Sequence, residues 1–243
     1  MIWIIGGTKD SRDFVDLYEN KKELIVTTAT EYGGKLLEDS GVKVLCKRLL
    51  PGEMDDFIEK NKIYKIIDLS HPYAVEVSQN AIEASKRKNI RYVRFERENL
   101  EFQNHDGIIE FYSVEEIVKY LENLQGNILI TLGSNNLEKF KDLKNISNLY
   151  FRILPKWEMI KKAEDLGILP KNIIAMQGPF TYELNLAMMK QLDIKYMVSK
   201  KGGDTGGERE KIEATKDAGA ISLLLDRPKI TYPEVYSKIE DLI

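Results

Sequence analysis

Short, continuous apolar runs alternate with helix-length segments along the chain, and this rhythm restricts the fold more than any other feature. The runs are 2–5 (IWII), 23–28 (ELIVTT), 42–46 (VKVLC), 65–69 (KIIDL), 91–95 (RYVRF), 127–132 (NILITL), 148–154 (NLYFRIL), 172–176 (NIIAM), 195–199 (KYMVS) and 221–225 (ISLLL). Most are continuous and draw on β-branched residues rather than alternating. Such strands are covered on both faces, as in a parallel sheet flanked by helices. Over 74–88, Ala74, Val77, Ser78, Ala81, Ala84 and Ser85 share one helical face. The helix expected over 180–192 has Leu184, Ala187 and Met188 as its buried stripe. The βα order predicts an α/β fold of doubly wound, Rossmann-like lobes with mainly parallel sheets. The polar, aperiodic stretch 98–109 predicts a junction between lobes 1–100 and 101–243, with a cleft between them. One open sheet of about ten strands would stand near the upper limit for such sheets.

Composition narrows the function. A net charge of -3 supplies no field for gathering nucleic acid or a membrane surface. The single cysteine, Cys46, excludes an internal disulfide and a thiolate metal cluster. Met1–Ile5 is apolar but far too short to span a bilayer, and nothing there resembles a signal peptide, so a cytoplasmic location is expected.

Chemistry-bearing residues gather where strands end. In open α/β sheets, ligands bind at the carboxyl edge. Gly6-Gly7-Thr8 follows the first strand and opens a helix over 9–19, with Arg12 about one turn on. This is either a phosphate or carboxylate cradle or a plain tight turn; it is not GxGxxG. The second strand ends at Thr27-Thr28, followed by Glu31, which is either a ribose 2′-OH acceptor or a solvated charge. No arginine cluster stands beside it, which favours NADH over NADPH. Ser70-His71-Pro72-Tyr73 ends the fourth run; His71 can bond a ligand, relay a proton or cap the helix. His105, in the junction, is expected to have no such role. Thr131-Leu132-Gly133-Ser134-Asn135 and Met176-Gln177-Gly178-Pro179 repeat the pattern. Last, Ser199-Lys200-Lys201 runs into Gly202-Gly203-Asp204-Thr205-Gly206-Gly207, with Lys211 beyond. Such a block either lets backbone approach a polyanion closely or forms a mobile surface loop. No HExxH, CxxC, Walker lysine or metal-ligand cluster is present, which leaves chemistry borne by a cofactor, or simple binding.

The ordered set GGTKDSR (6–12), DLSHPYAVEVSQNAIEA (68–84), RYVRFER (91–97), LITLGSNNL (129–137), RILP (152–155), IIAMQGPFTYELN (173–185) and KKGGDTGGEREKIEA (200–214) resembles the precorrin-6A reductases. These are the corrin-ring reductases of cobalamin biosynthesis. The resemblance spans nearly the whole chain. It implies two α/β lobes, a hydride from NADH or NADPH, and reduction of (cobalt-)precorrin-6A to (cobalt-)precorrin-6B at C19. The substrate would be a polycarboxylate tetrapyrrole, and any cobalt would arrive within it. A composition rich in Lys, Ile and Asn suggests a low-GC host, which favours the cobalt-bearing ring. By matched position, Gly6, Gly7, Thr8, Ser70, His71, Pro72, Gly133, Ser134, Gln177 and Gly178 would face the dinucleotide, as would Thr28 from its place at the end of the second strand. Tyr73, Asn135, Gly206 and Gly207 would meet the substrate, Arg12, Lys200, Lys201 and Lys211 would meet substrate carboxylates or the cofactor phosphates, and His71 or a water would deliver the proton. A non-redox tetrapyrrole enzyme and a non-catalytic nucleotide or tetrapyrrole carrier are the competing readings.

Overall fold

The computed structural model describes residues 1–100, 102, 107–203 and 206–243. His105, Asp204 and Thr205 lie outside the described residues. The elements are β1 (Ile2–Ile5), α1 (Lys9–Leu17), β2 (Leu24–Thr28), α2 (Glu31–Lys35), β3 (Lys43–Cys46), α3 (Pro51–Lys60), β4 (Lys65–Asp68), α4 (Val75–Lys88) and β5 (Arg91–Phe95). There follow β6 (Ile108–Phe111), α5 (Val114–Leu121), β7 (Asn127–Ile130), β8 (Leu149–Ile153), α6 (Trp157–Asp165), β9 (Ile173–Ala175), α7 (Tyr182–Gln191), β10 (Ile194–Lys200), α8 (Glu208–Asp217), β11 (Ile221–Leu225) and β12 (Val235–Tyr236). Short 3-10 turns link several of them.

The chain divides into two compact units, Met1–Glu98 with Pro228–Ile243, and Asn99–Arg227. This differs from the expected 1–100 and 101–243 division, because the last residues return to the first unit. Each unit holds one six-stranded sheet, ordered β12-β5-β4-β1-β2-β3 in the first and β6-β11-β10-β7-β8-β9 in the second. Every strand pairing is parallel. The two orders correspond strand for strand. Each sheet starts with three strands laid outward in one direction, then reverses: β4 joins β1 on its other side, as β10 joins β7. The outermost strands are exchanged in sequence. β6 follows β5 in the chain but lies in the second sheet, and β12 follows β11 but lies in the first.

Packing follows the two-sided burial expected of parallel strands. In the first unit, Trp3, Ile25, Ile66 and Tyr92 face Met54, Phe57 and Ile58 of α3 and Ala81, Ile82 and Ala84 of α4. Ile4, Val26, Ile67 and Val93 face Phe14 and Val15 of α1, with Leu242 from the chain's end. Each fully buried side chain of this size contributes about 1.5–3 kcal/mol. Helix α7 departs from expectation. It buries Asn185 and Met189, whereas Leu184 is 39% exposed and Ala187 also faces outward. The buried Asn185 makes polar contacts that turn the helix by one position, as described below.

Candidate functional site

In open α/β sheets the crevice forms where strand order reverses. In the second unit that point lies between β7 and β10, and a cavity of about 470 Å³ opens there. Thr131, Gly133, Ser134 and Asn135 line it from the end of β7, and Lys200, Gly206, Gly207 and Lys211 from the end of β10 and α8. Met176, Gly178, Pro179 and Phe180 add the loop after β9. Of the residues expected at a site in this unit, Gly133, Ser134, Asn135, Gly178, Lys200, Gly206, Gly207 and Lys211 are thus brought together. Gln177 is exposed between lining residues, and Lys201 turns elsewhere. The Lys201 ammonium pairs with Glu110 of β6 at 2.7 Å and with Asp226 at 3.6 Å. Those carboxylates, rather than a ligand, account for its placement.

Arg152 lines the same cavity and was not singled out from the sequence on its own chemistry. It sits on β8 and is 8% exposed. Its Nη1 donates to Asn185 Oδ1 at 2.8 Å, and its guanidinium carbon lies 4.1 Å from the centre of the Phe180 ring. Asn185 is wholly buried, and its Nδ2 donates to the Thr181 carbonyl at 2.8 Å. An amide and an aromatic face therefore hold Arg152, and neither cancels its charge. Among the described residues it forms no ion pair. Burial lowers its pKa to about 10. Lys211 donates to Ser199 Oγ at 2.8 Å. Burial, then Arg152, then Lys200 bring its pKa down to about 8, against the opposing pull of Glu208 and Glu210. Burial lowers the Lys200 ammonium as well. A buried cation without a counter-charge is costly, and Arg152, which has no ion pair among the described residues, marks this pocket as suited to an anion. The apolar side chains of Leu154, Met176 and Phe180 share the wall, which suits a ligand with a flat apolar body and acidic substituents.

The first unit reverses between β1 and β4. Gly6 is tightly packed: a Cβ there would lie 2.9 Å from Val26 Cγ1. Gly7 has φ +98°, and no atom stands within 4 Å of where its Cβ would be. The turn therefore needs glycine for its backbone and leaves open space above it. Thr8 differs from the expected anion donor. Its hydroxyl donates to the Leu69 carbonyl at 2.7 Å and accepts from Ser11 N, capping α1. It ties the ends of β1 and β4 together instead. Arg12 Nη1 donates to the Thr8 carbonyl at 3.2 Å, and Arg12 forms no ion pair among the described residues. Thr28, at the end of β2, is buried and donates to the Thr30 carbonyl.

Ser70 and Pro72 are buried, whereas His71 is exposed and Tyr73 half-buried. His71 does not cap α4, which starts at Val75 with no side-chain cap. Its Nδ1 accepts from Tyr73 N at 3.3 Å, an arrangement that assigns the proton of the neutral ring to Nε2.

Comparison with known proteins points the same way. The family model described as Precorrin-6x reductase CbiJ/CobK matches residues 1–243. The chain is 36% identical to the cobalt-precorrin-6A reductase of Priestia megaterium, over 100% of this chain and 96% of that one. It is 37% identical to the cobalt-precorrin-6A reductase of Methanocaldococcus jannaschii, over 99% and 95% respectively. The solved structure of CobK precorrin-6A reductase superposes with a TM-score of 0.81 at 19% identity, covering 99% of this chain and 93% of that one; at that identity the likeness speaks for the fold.

Proposed function

This chain belongs to the precorrin-6x reductase family, and we propose that it reduces cobalt-precorrin-6A to cobalt-precorrin-6B with a reduced nicotinamide dinucleotide. The observation that carries the substrate class is the cavity holding Arg152, Lys200 and Lys211. Acetate and propionate groups on the macrocycle are the anions such cations bind, and Arg152, which forms no ion pair among the described residues, presents the planar fork suited to a carboxylate. Leu154, Met176 and Phe180 cover the ring's apolar face. Relatives named for the cobalt-bearing substrate support that form over the metal-free one; the metal then belongs to the substrate.

The first unit fits the dinucleotide, so Gly133, Ser134 and Gly178, expected at the dinucleotide, fall to the substrate because they line its cavity. The open space over Gly7 and Arg12, which forms no ion pair among the described residues, suit a phosphate at the start of α1. Glu31, which opens α2 after β2, suits a ribose hydroxyl. The cations that follow β3 are already paired, Lys47 with Glu53 and Arg48 with Glu76, which favours NADH over NADPH. When bound, the dinucleotide supplies the hydride. The chain's own residues bind and orient the polyacid; the proton for the reduced ring comes from a water, or from His71 in its imidazolium form once Nδ1 has left Tyr73 N.

The test follows nucleotide absorbance with purified protein and cobalt-precorrin-6A. NADH oxidation only in the presence of the tetrapyrrole is expected. Arg152→Met should weaken tetrapyrrole binding at least tenfold, the value of a charge-assisted hydrogen bond at about 1.5 kcal/mol or more. Tetrapyrrole binding with no nucleotide oxidation would turn the assignment toward a carrier. Product formed without nucleotide would turn it toward a non-redox enzyme.

A further inference from the structure

Beneath the Ser70-His71-Pro72 turn lies a polar network that neither the fold nor the proposed reaction explains. Asp68 ends β4 and is wholly buried. Its Oδ1 accepts from Ser70 N and from Arg94 Nη1, both at 2.9 Å. Its Oδ2 accepts from the hydroxyls of Ser78 and Tyr92, both at 2.6 Å. Burial pushes the Asp68 carboxyl up, but Arg94 and the surrounding donors outweigh it and hold it below the usual carboxylate range. Arg94 on β5 is equally buried. Its Nη1 also reaches Ser70 Oγ at 3.1 Å, and its Nε donates to Glu96 at 2.7 Å. The Tyr232 ring lies 5.4 Å from the guanidinium carbon.

A buried ion pair is a poor device for stability alone, since apolar residues of similar size often hold a core as well or better. β4 and β5 already share the buried side chains of Ile66, Ile67, Tyr92 and Val93. What apolar residues cannot do is grip Ser70 by its backbone N–H and its hydroxyl together. The Asp68–Arg94 pair does both. Thr8 holds the preceding carbonyl, that of Leu69, from the β1 side. The turn is thereby fixed from beneath and from its neighbour, and the ring of His71 stands on it.

We propose that Arg94 is a positioning residue: acting through Asp68 and Ser70, it fixes the turn that presents His71 and shapes the dinucleotide face of the first unit. The inference rests on the function proposed above for where the dinucleotide binds, and its test separates the two.

Arg94→Met alone strands a buried carboxylate and risks unfolding, so the informative variant is Asp68→Asn/Arg94→Met, which removes both charges together. It is compared with wild type and Arg94→Lys on the full chain. NADH and NADPH binding is measured by titration. The imidazole nitrogens of His71 are read by NMR in a His105→Gln background, which leaves His71 as the sole histidine. The double variant is expected to fold, with its dinucleotide Kd raised about tenfold or more. Its His71 nitrogen shifts should move from the Nε2–H pattern toward an average of the tautomers. Arg94→Lys keeps the charge but not the fork, so it should recover melting temperature without recovering affinity or the His71 signature. A folded double variant with wild-type affinity and unchanged His71 shifts would overturn the proposal. Should wild type bind neither nucleotide, the functional reading fails, and the His71 shifts alone decide whether Arg94 positions the turn.

Discussion

Lys211 has its charge set by its surroundings. Burial and the neighbouring cations Arg152 and Lys200 bring its pKa down to about 8. The sign of the consequence follows directly. A lysine depressed in the folded state is charged below about pH 8 and neutral above, while the unfolded chain keeps its proton to about pH 10.4. Folding stability attributable to Lys211 therefore rises between those values as pH increases. Polyanion binding runs the other way, because it needs the ammonium. Tetrapyrrole affinity should be flat below about pH 7 and fall as pH passes through about 8, and Lys211→Met should remove that inflection. An unchanged profile in the variant would assign the inflection elsewhere. Lys211 and Lys200 were legible in the sequence because a glycine-rich block after a strand is conspicuous. Arg152 was less so. It sits within an apolar run, where a charge reads as an edge residue unless the fold shows the cavity beside it.

At the scale of elements, the glycine turn shows how packing and binding divide between adjacent residues. Gly6 lies against Val26 and Ser11, and a methyl group would press on Val26 Cγ1 at 2.9 Å. Val26 is buried and β-branched, so it yields little. Gly6→Ala should destabilise the protein by about 1–3 kcal/mol by moving α1 off β2. Combined with Val26→Ala, the costs should be less than additive in a double-mutant cycle. Gly7→Ala meets no atom, and its cost is backbone strain alone, about 1–2 kcal/mol, which Val26→Ala should not relieve. Denaturant unfolding of the variants checks both. The strand ends and the helices that follow them were readable from periodicity. The face of α7 was not, because Asn185 takes the buried position through its bonds to Arg152 and to the Thr181 carbonyl, and hydrophobicity carries no trace of that.

For the whole molecule, the last residues matter more than their sequence suggests. β12 is two residues long and has no apolar run to mark it, and β6 lies in a stretch that reads as polar linker; neither strand was evident from the sequence. Yet the returning segment pairs β12 with β5, accepts from Arg94 N through the Glu234 carbonyl, and places Tyr232 against the Arg94 guanidinium. Ile230, Tyr232, Tyr236, Ile239 and Leu242 pack onto the two faces of the first sheet. Arg91 fastens the segment through Glu234, and its hydrogen bonds, with that of Tyr236, lower the Glu234 carboxyl to about 2. That attachment is therefore complete above the carboxyl's ordinary value of 4.5 and is lost as pH falls through about 2. Removing residues 228–243 strips these contacts from the first unit and leaves β5 as an open edge. Hydrogen exchange on the truncated chain should show lost protection across β4 and β5, with β7, β10 and β11 still protected, because the second sheet takes its outer strand, β6, from within Asn99–Arg227. Dinucleotide affinity should fall with that protection, since the truncation removes Tyr232 from Arg94 and the outer strand from the sheet that carries the Ser70 turn. Protection retained in β4 and β5 after truncation would mean that the first sheet holds its carboxyl edge without the returning segment.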